Sequence, residues 1–358
     1  MPTTAETGFL LIADLTGYTE YLSRSELEHA PAIAGDLLET IVGRLDPPFR
    51  LAKLEGDAAF LFVEDGRAEG SLLLDAVEAA YLAFRRRLRS IEGATSCDCN
   101  SCRLAPRLDL KLFVHHGSFV RSRIAGRDEL AGTDVIVVHR LLKGAVAAAA
   151  RANGFALITR PAIDALGVDP SSLGQVVAQE AIEHLGTVET YTLDLEARWQ
   201  AESTSRRLVI DDGDLLLDLE AAIPAEPPVV WAHLTAAKLR TRWEGPLVID
   251  ETLPDGRRGV GTVAQCVTGR LATIEEIVDW QPYEHVGWRL AVPGVGPVTA
   301  AADLEAVDGG TRLRLRWVYQ GEPPLDHVEI ARIRLDKEAA FERLAKVAAS
   351  GPPVLEPA

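Results

Sequence analysis

Two aspartates raise the question of chemistry. Asp14 closes the apolar run Phe9-Leu-Leu-Ile-Ala and leads into Leu15-Thr16-Gly17-Tyr18-Thr19, while Asp57 closes Lys53-Leu54-Glu55-Gly56. One carboxylate at a strand end and another at a hairpin bend can meet at one sheet edge. There a hard cation such as Mg²⁺ or Mn²⁺ takes carboxylate and phosphate oxygens together. A pair of such ions lowers the charge on both an attacking oxygen and a departing pyrophosphate. The backbone N–H groups of a glycine-containing turn, here Thr16, Gly17, Tyr18 and Thr19, suit phosphate oxygens. Most aspartates in such places only end a strand or cap a turn. The order and spacing of the two segments therefore carry the expectation, not either residue alone.

A second group is Cys97-Asp98-Cys99-Asn100-Ser101-Cys102, just before a strand expected to end in His115-His116. Three thiolates and one imidazole complete a tetrahedral zinc site. Neighbours on a strand face opposite ways, so only one histidine, taken as His116, is expected to join Cys97, Cys99 and Cys102. Surface thiols clustered by chance are the plain alternative. Cys266, in the strand-like run from Gly261 to Val267, reads as a small buried hydrophobe.

The elements that must position these groups follow from periodicity. Residues 8–14 predict a strand, and Ile33, Leu37, Ile41 and Leu45 predict a helix that starts at Pro31 and stops before Pro47-Pro48. Phe49–Leu54 and Ala58–Val63 read as a hairpin, residues 71–91 as a helix, and Leu108–Val114 as a strand. A helix over Asp134–Lys143 and strands over 176–183 and 187–194 follow. Together they describe an α+β domain with a ferredoxin-like core, its helices on one face of a largely antiparallel sheet.

The chain has 358 residues, more than one core usually organises, so two domains are expected. The polar stretch around 198–206 reads as a linker between a domain over 1–197 and another over 207–350, with a disordered tail at 351–358. A net charge of -16 argues against nucleic acid as a partner, although metal ions can still bring a nucleotide to an acidic surface. The start of the chain lacks the basic and apolar pattern of a signal peptide, and no run approaches the roughly 18 apolar residues of a membrane span. A cytoplasmic protein with reduced thiols is expected.

The segment around Asp14 resembles the opening motif of class III adenylate and guanylate cyclases, and Lys53-Leu54-Glu55-Gly56-Asp57 resembles their second. The resemblance covers roughly residues 7–195. It implies that Asp14 and Asp57 hold two metal ions, that Lys53 with Glu129 reads the base, favouring ATP, and that Arg140 stabilises the transition state. It also implies a head-to-tail homodimer in which the aspartates face Arg140 of the partner subunit. Two family groups are missing: an Asn that orients the ribose is Ile136 here, and the phosphate-binding Lys is replaced by the stretch Glu183-His184-Leu185-Gly186. Losing donors aimed at developing charge costs about 10²–10³ in rate each. With His-Arg-Leu-Leu-Lys at 139–143 and the cysteine loop, the chain is also similar to a bacterial cyclase-like group of unknown function.

The second half holds Trp231, Trp243, Trp280, Trp288 and Trp317 among alternating segments, with turns at Pro254-Asp255-Gly256 and Asp308-Gly309-Gly310. A short helix around 227–238 and a closing helix carrying Phe341, Leu344 and Val347 complete it. Ala222-Ile223-Pro224-Ala225, Val229-Val230-Trp231, Lys238 to Trp243 and Gly309-Gly310-Thr311-Arg312-Leu313 resemble the START/polyketide-cyclase (SRPBCC) superfamily. That resemblance implies a helix-grip (START/Bet v 1-like) fold around an apolar cavity, with Trp280, Trp288, Trp317 and Tyr319 as lining and an apolar small molecule as ligand. Tryptophans on strands more often fill a core. Of Glu275-Glu276, alternation sends one inward, which is ordinary strand patterning.

Three functions fit these readings. One is a degenerate, cyclase-like nucleotide-binding regulator with a ligand-binding second domain. Another is an active adenylate cyclase, converting ATP to cyclic AMP and pyrophosphate. The third is a polyketide cyclase or lipid carrier with a dimerising first domain.

Overall fold

The structure is a computed structural model that describes residues 4–94, 99–124, 126–144, 154–173, 177–204, 208–210, 215–245, 247–321 and 325–351. Its contacts divide the chain into two compact units, Met1–Ser205 and Arg206–Val354. Among the described residues, no helix is long and apolar enough to cross a membrane.

The first unit opens with β1 (Ala5–Thr16), α1 (Tyr18–Arg24), α2 (Ala30–Leu45), the hairpin β2 (Arg50–Glu55) and β3 (Ala58–Glu64), and α3 (Gly70–Ala94). It continues with α4 (Asn100–Leu104), β4 (Asp109–Ile124), β5 (Arg127–Ala131), α5 (Thr133–Leu141), β6 (Phe155–Thr159), α6 (Arg160–Leu166), β7 (Val177–Ile182), β8 (Gly186–Asp194) and α7 (Leu195–Thr204). The sheet runs β2-β3-β1-β4-β6-β8-β7, with β5 paired to the far half of β4. Strands β2-β3-β1-β4 are antiparallel throughout, and with helices between β1 and β2 and between β3 and β4 they form the ferredoxin-like core. β6 extends it in parallel to β4.

β1 is buried on both faces, which its unbroken apolar run allows. Leu10 and Ile12 join Phe60, Phe62 and Phe113 in a cluster with Val135, Val138 and Leu141 of α5. Leu11 and Ala13, which alternate to the other face, are equally buried. Helices therefore cover both sides of this sheet, not one as the sequence suggests, because α5 returns across the face opposite α2 and α3. β4 also outruns its expected length: His115-His116 sit mid-strand, opposite Leu10 and Phe9. The stretch expected as a linker from 198 is helical through Thr204, with Trp199 buried and Arg89 stacked on its ring at 4.3 Å.

The second unit comprises β9 (Leu215–Ile223), α8 (Pro227–Thr235), α9 (Ala237–Arg240), β10 (Val248–Thr252), β11 (Val263–Thr268), β12 (Leu271–Gln281), β13 (His285–Val292), β14 (Gly296–Val307), β15 (Gly310–Tyr319) and α10 (His327–Ala348). Its sheet is antiparallel, ordered β10-β11-β12-β13-β14-β15-β9. α10 buries Ile333, Ala340, Phe341, Leu344 and Ala348, the stripe of a helix gripped by a curved sheet. It begins well before the expected Lys337, because Asp326 and Glu329 form a capping box.

Candidate functional site

Asp14 ends the long central strand, and the hairpin bend brings Asp57 beside it: the Leu15 amide donates to the Asp57 carbonyl at 3.1 Å. Gly56 takes a positive φ of 73° at that bend, and Gly17 one of 89° where the chain leaves β1 for α1. Asp14, Thr16, Gly17, Tyr18, Thr19, Glu20 and Asp57 line a cavity of about 250 Å³. Burial first, and the charge of Asp57 second, push the Asp14 carboxyl up to about 6, against the pull of Lys111. The Thr16 hydroxyl is buried with no hydrogen-bond partner among the described residues. A crowded carboxylate pair beside an unsatisfied hydroxyl suits a hard divalent cation, and Asp14 and Asp57 are the residues able to hold one.

Lys111 is the group that sequence reading missed. It stands directly opposite Asp14 in the β1–β4 register and lines the same cavity. Glu183 and His184 are highly exposed at the β7–β8 turn.

Lys53 and Glu129 do meet. The Lys53 ammonium lies 3.1 Å from Glu129 Oε2 and 3.0 Å from Glu55 Oε1. Glu55 also holds His139, whose Nε2 is 3.0 Å from Oε2 and whose Nδ1 donates to the Val135 carbonyl at 2.7 Å. α5 buries Val135, Val137, Val138 and Leu141, so Ile136 and Arg140 share its outer face, Ile136 being 52% exposed. Among the described residues the Arg140 guanidinium has no hydrogen bond or ion pair.

The histidine beside the thiols is His29, not His116. His29 Nδ1 lies 3.4 Å from Cys99 Sγ, and the ligand atoms of His29, Cys99 and Cys102 are all within 4.8 Å of one another. Cys97 lies outside the described residues. His116 is seven residues up the strand from Asp109, roughly 20 Å at strand rise, and meets Asp65 Oδ1 at 2.9 Å. His115 faces inward, between the Thr159 hydroxyl at 2.8 Å and Asp134 Oδ1 at 3.2 Å, and burial lowers its pKa.

In the second unit Arg240 is buried and forks onto Glu275 at 2.6 and 3.1 Å, with Glu244 Oε2 2.8 Å from Nη2. Glu275, not Glu276, is the inward member of its pair, with a side chain 12% exposed against 44%. The charges of Glu244 and Glu275 hold the Arg240 pKa above its ordinary value despite burial.

Residues 216–349 match the family described as polyketide cyclase / dehydrase and lipid transport. Residues 34–150 match a family described as a protein of unknown function (DUF2652). The uncharacterized protein Rv2561/Rv2562 of Mycobacterium tuberculosis is 38% identical over 110 residues, 31% of this chain and 51% of that protein. Similar solved structures include DynU16 from the dynemicin biosynthetic locus, with 20% identity, TM-score 0.32, and coverage of 39% of this chain and 49% of that one. The adenylyl cyclase CyaB from P. aeruginosa has 16% identity, TM-score 0.41, and coverage of 59% and 100%. The guanylyl cyclase Cya2 has 13% identity, TM-score 0.41, and coverage of 54% and 94%. The chain thus spans about half the length of the Mycobacterium relative and of DynU16.

Within the second unit, over the residues that match that family, Trp288, Trp317, Leu290, Leu315 and Phe341 line a cavity whose polar wall is Arg240, Glu244, Glu275 and Lys337. Its volume is about 50 Å³, room for a few waters. Trp280 packs edge-on against Trp231 at 4.7 Å, and the Tyr319 ring lies against Gly296. Cys266 is buried, as expected of a small hydrophobe, and burial and Glu275 push its thiol up to about 12.

Proposed function

We propose that the first unit binds a nucleoside triphosphate, ATP by preference, through Mg²⁺ or Mn²⁺ held by Asp14 and Asp57. The observation that carries this reading is the half-buried carboxylate pair at a glycine turn, with the unsatisfied Thr16 hydroxyl and Lys111 around one cavity. In it the cation would neutralise the carboxylates, the turn from Thr16 to Thr19 and Lys111 would face phosphate oxygens, and Lys53 with Glu129 would face the base. The cavity of about 250 Å³ is smaller than the 300–1,000 Å³ of a full ligand pocket, in keeping with a site completed by a second copy of the chain. Exposed Ile136 beside Arg140, which has no partner among the described residues, and exposed Leu54 suit such a homodimer.

The site is weakened for cyclase turnover, because the alkyl side chain of Ile136 offers no hydrogen bond to a ribose. The protein is then a nucleotide-dependent regulator whose second unit takes an apolar small molecule. The second unit's cavity must widen to admit it, through movement of Trp317 and Phe341. A working adenylate cyclase is the second reading, favoured by an Arg140 guanidinium without a hydrogen bond or ion pair among the described residues. A carrier or polyketide cyclase with a dimerising first unit is the third, favoured by the family match over 216–349.

The test is cyclic AMP production from ATP and Mn²⁺, measured beside nucleotide binding on the same sample. Binding without product supports the regulator, product that disappears in Arg140→Ala establishes the enzyme, and absence of both leaves the second unit as the seat of function.

A further inference from the structure

The donors gathered at the start of α2 are of a different chemical kind from the oxygens around Asp14. His29 stands at the N-terminal boundary of α2, and Cys99 and Cys102 flank the first turn of α4. The 3.4 Å between His29 Nδ1 and Cys99 Sγ is close to the ~3.5 Å separating nitrogen and sulfur on one tetrahedral zinc ion, given Zn–N near 2.0 and Zn–S near 2.3 Å. All three ligand atoms fall within 4.8 Å of one another.

The loop that presents them is built. Glu26 accepts the amides of Asn100 at 3.1 Å and Ser101 at 2.9 Å, and its own carbonyl accepts the Ser101 hydroxyl at 3.1 Å. Those bonds tie the chain just before His29 to the Cys99–Cys102 turn, so both halves of the cluster are positioned by one side chain. Tyr21, one turn of chain earlier and 3% exposed, keeps a hydroxyl with no hydrogen-bond partner among the described residues.

We propose that His29, Cys99 and Cys102 bind a thiophilic divalent metal of the zinc class, clipping the start of α2 to α4. Two thiolates and an imidazole reject Mg²⁺ and favour zinc or cobalt, so this site and the carboxylate site select different ions. Neither depends on the other: loss of nucleotide binding would leave this clip standing.

The experiment is titration of the reduced, chelator-treated full chain with Co²⁺ and then Zn²⁺. One equivalent of Co²⁺ is expected to give intense visible bands of a tetrahedral thiolate site, which Zn²⁺ then bleaches. Even outer-shell partners of a metal ligand are worth about 10–100-fold in affinity, so His29→Ala and Cys102→Ser are expected to weaken Zn²⁺ binding by at least about a hundredfold. His116→Ala and Asp14→Ala should leave it unchanged. An absence of thiolate–cobalt bands in the folded, fully reduced chain overturns the proposal, and so does wild-type zinc affinity in His29→Ala.

Discussion

Lys53 Nζ stands 3.1 Å from Glu129 Oε2, joining β2 to β5 across 76 residues of sequence. Both side chains are about a third exposed, so the pair contributes at most about 1 kcal/mol to stability. Its position suggests recognition instead. Glu129→Ala is expected to change thermal stability little while lowering ATP affinity about 10–100-fold, leaving Mn²⁺ affinity intact. Titrations of ATP and Mn²⁺ into the variant check this, and an unchanged ATP affinity contradicts it.

The carboxyl of Asp14 ionises near 3.8 in the unfolded chain and near 6 in the fold. A raised carboxyl keeps its proton in the folded state, so the fold loses stability as pH rises from 3.8 through 6. Asp14→Asn removes that loss and is expected to stabilise the first unit by about 1–2 kcal/mol at neutral pH, after allowance for solvent. Native Mn²⁺ affinity should rise about tenfold or more between pH 5 and 7 as the proton leaves. A thermal midpoint that falls in Asp14→Asn at neutral pH would count against this placement.

Two histidines of the second unit are shifted in opposite directions. His285, between Asp303 Oδ1 at 2.7 Å and Asp279 Oδ2 at 3.4 Å, is raised from 6.5 to about 9 even though burial opposes it. Its contribution is fully present below 6.5 and lost as pH climbs through 9. His233, buried with neither ring nitrogen hydrogen-bonded among the described residues, is lowered to about 4, by burial first and then by Arg242. The unfolded chain takes up that proton first, so stability falls as pH drops from 6.5 towards 4. In urea titrations across this range, His285→Gln should flatten the alkaline limb and His233→Leu the acid limb. Limbs unchanged by either substitution refute the assignment.

Removing one partner of a buried ion pair strands the other, at a cost of about 3–5 kcal/mol. Glu275→Leu should therefore destabilise the second unit by that amount, since among the described residues Arg240 then keeps only Glu244 as an ion-pair partner. Adding Arg240→Leu should recover most of the loss. A double variant as unstable as the sum of its singles contradicts the coupling.

The legible parts of this molecule were those written in local pattern. Periodicity located α2, the β2–β3 hairpin and α5; of the aromatics that the second half's resemblance implied as lining, Trp288 and Trp317 do line the cavity, while Trp280 packs on Trp231. Lys111 escaped because its place opposite Asp14 is a matter of strand register, which no local pattern around Leu110 records. His29 escaped for the same reason: 70 residues separate it from Cys99, whereas His116 lay nearer in sequence and far away in space. The helix over Leu195–Thr204 reads as a linker from Arg198 onward because, beyond the buried Leu195 at its start, Trp199 stands among polar residues. The Asp326–Glu329 capping box was readable in sequence, and it sets the true start of α10.

The most direct measurement is calorimetric titration of ATP with Mn²⁺ into the purified chain and into Asp14→Ala. Saturable binding to the native chain, weakened at least about a hundredfold in the variant, is the predicted result, since the variant loses half of the carboxylate pair. Equal binding to both proteins, or to neither, would contradict a nucleotide–metal site at Asp14.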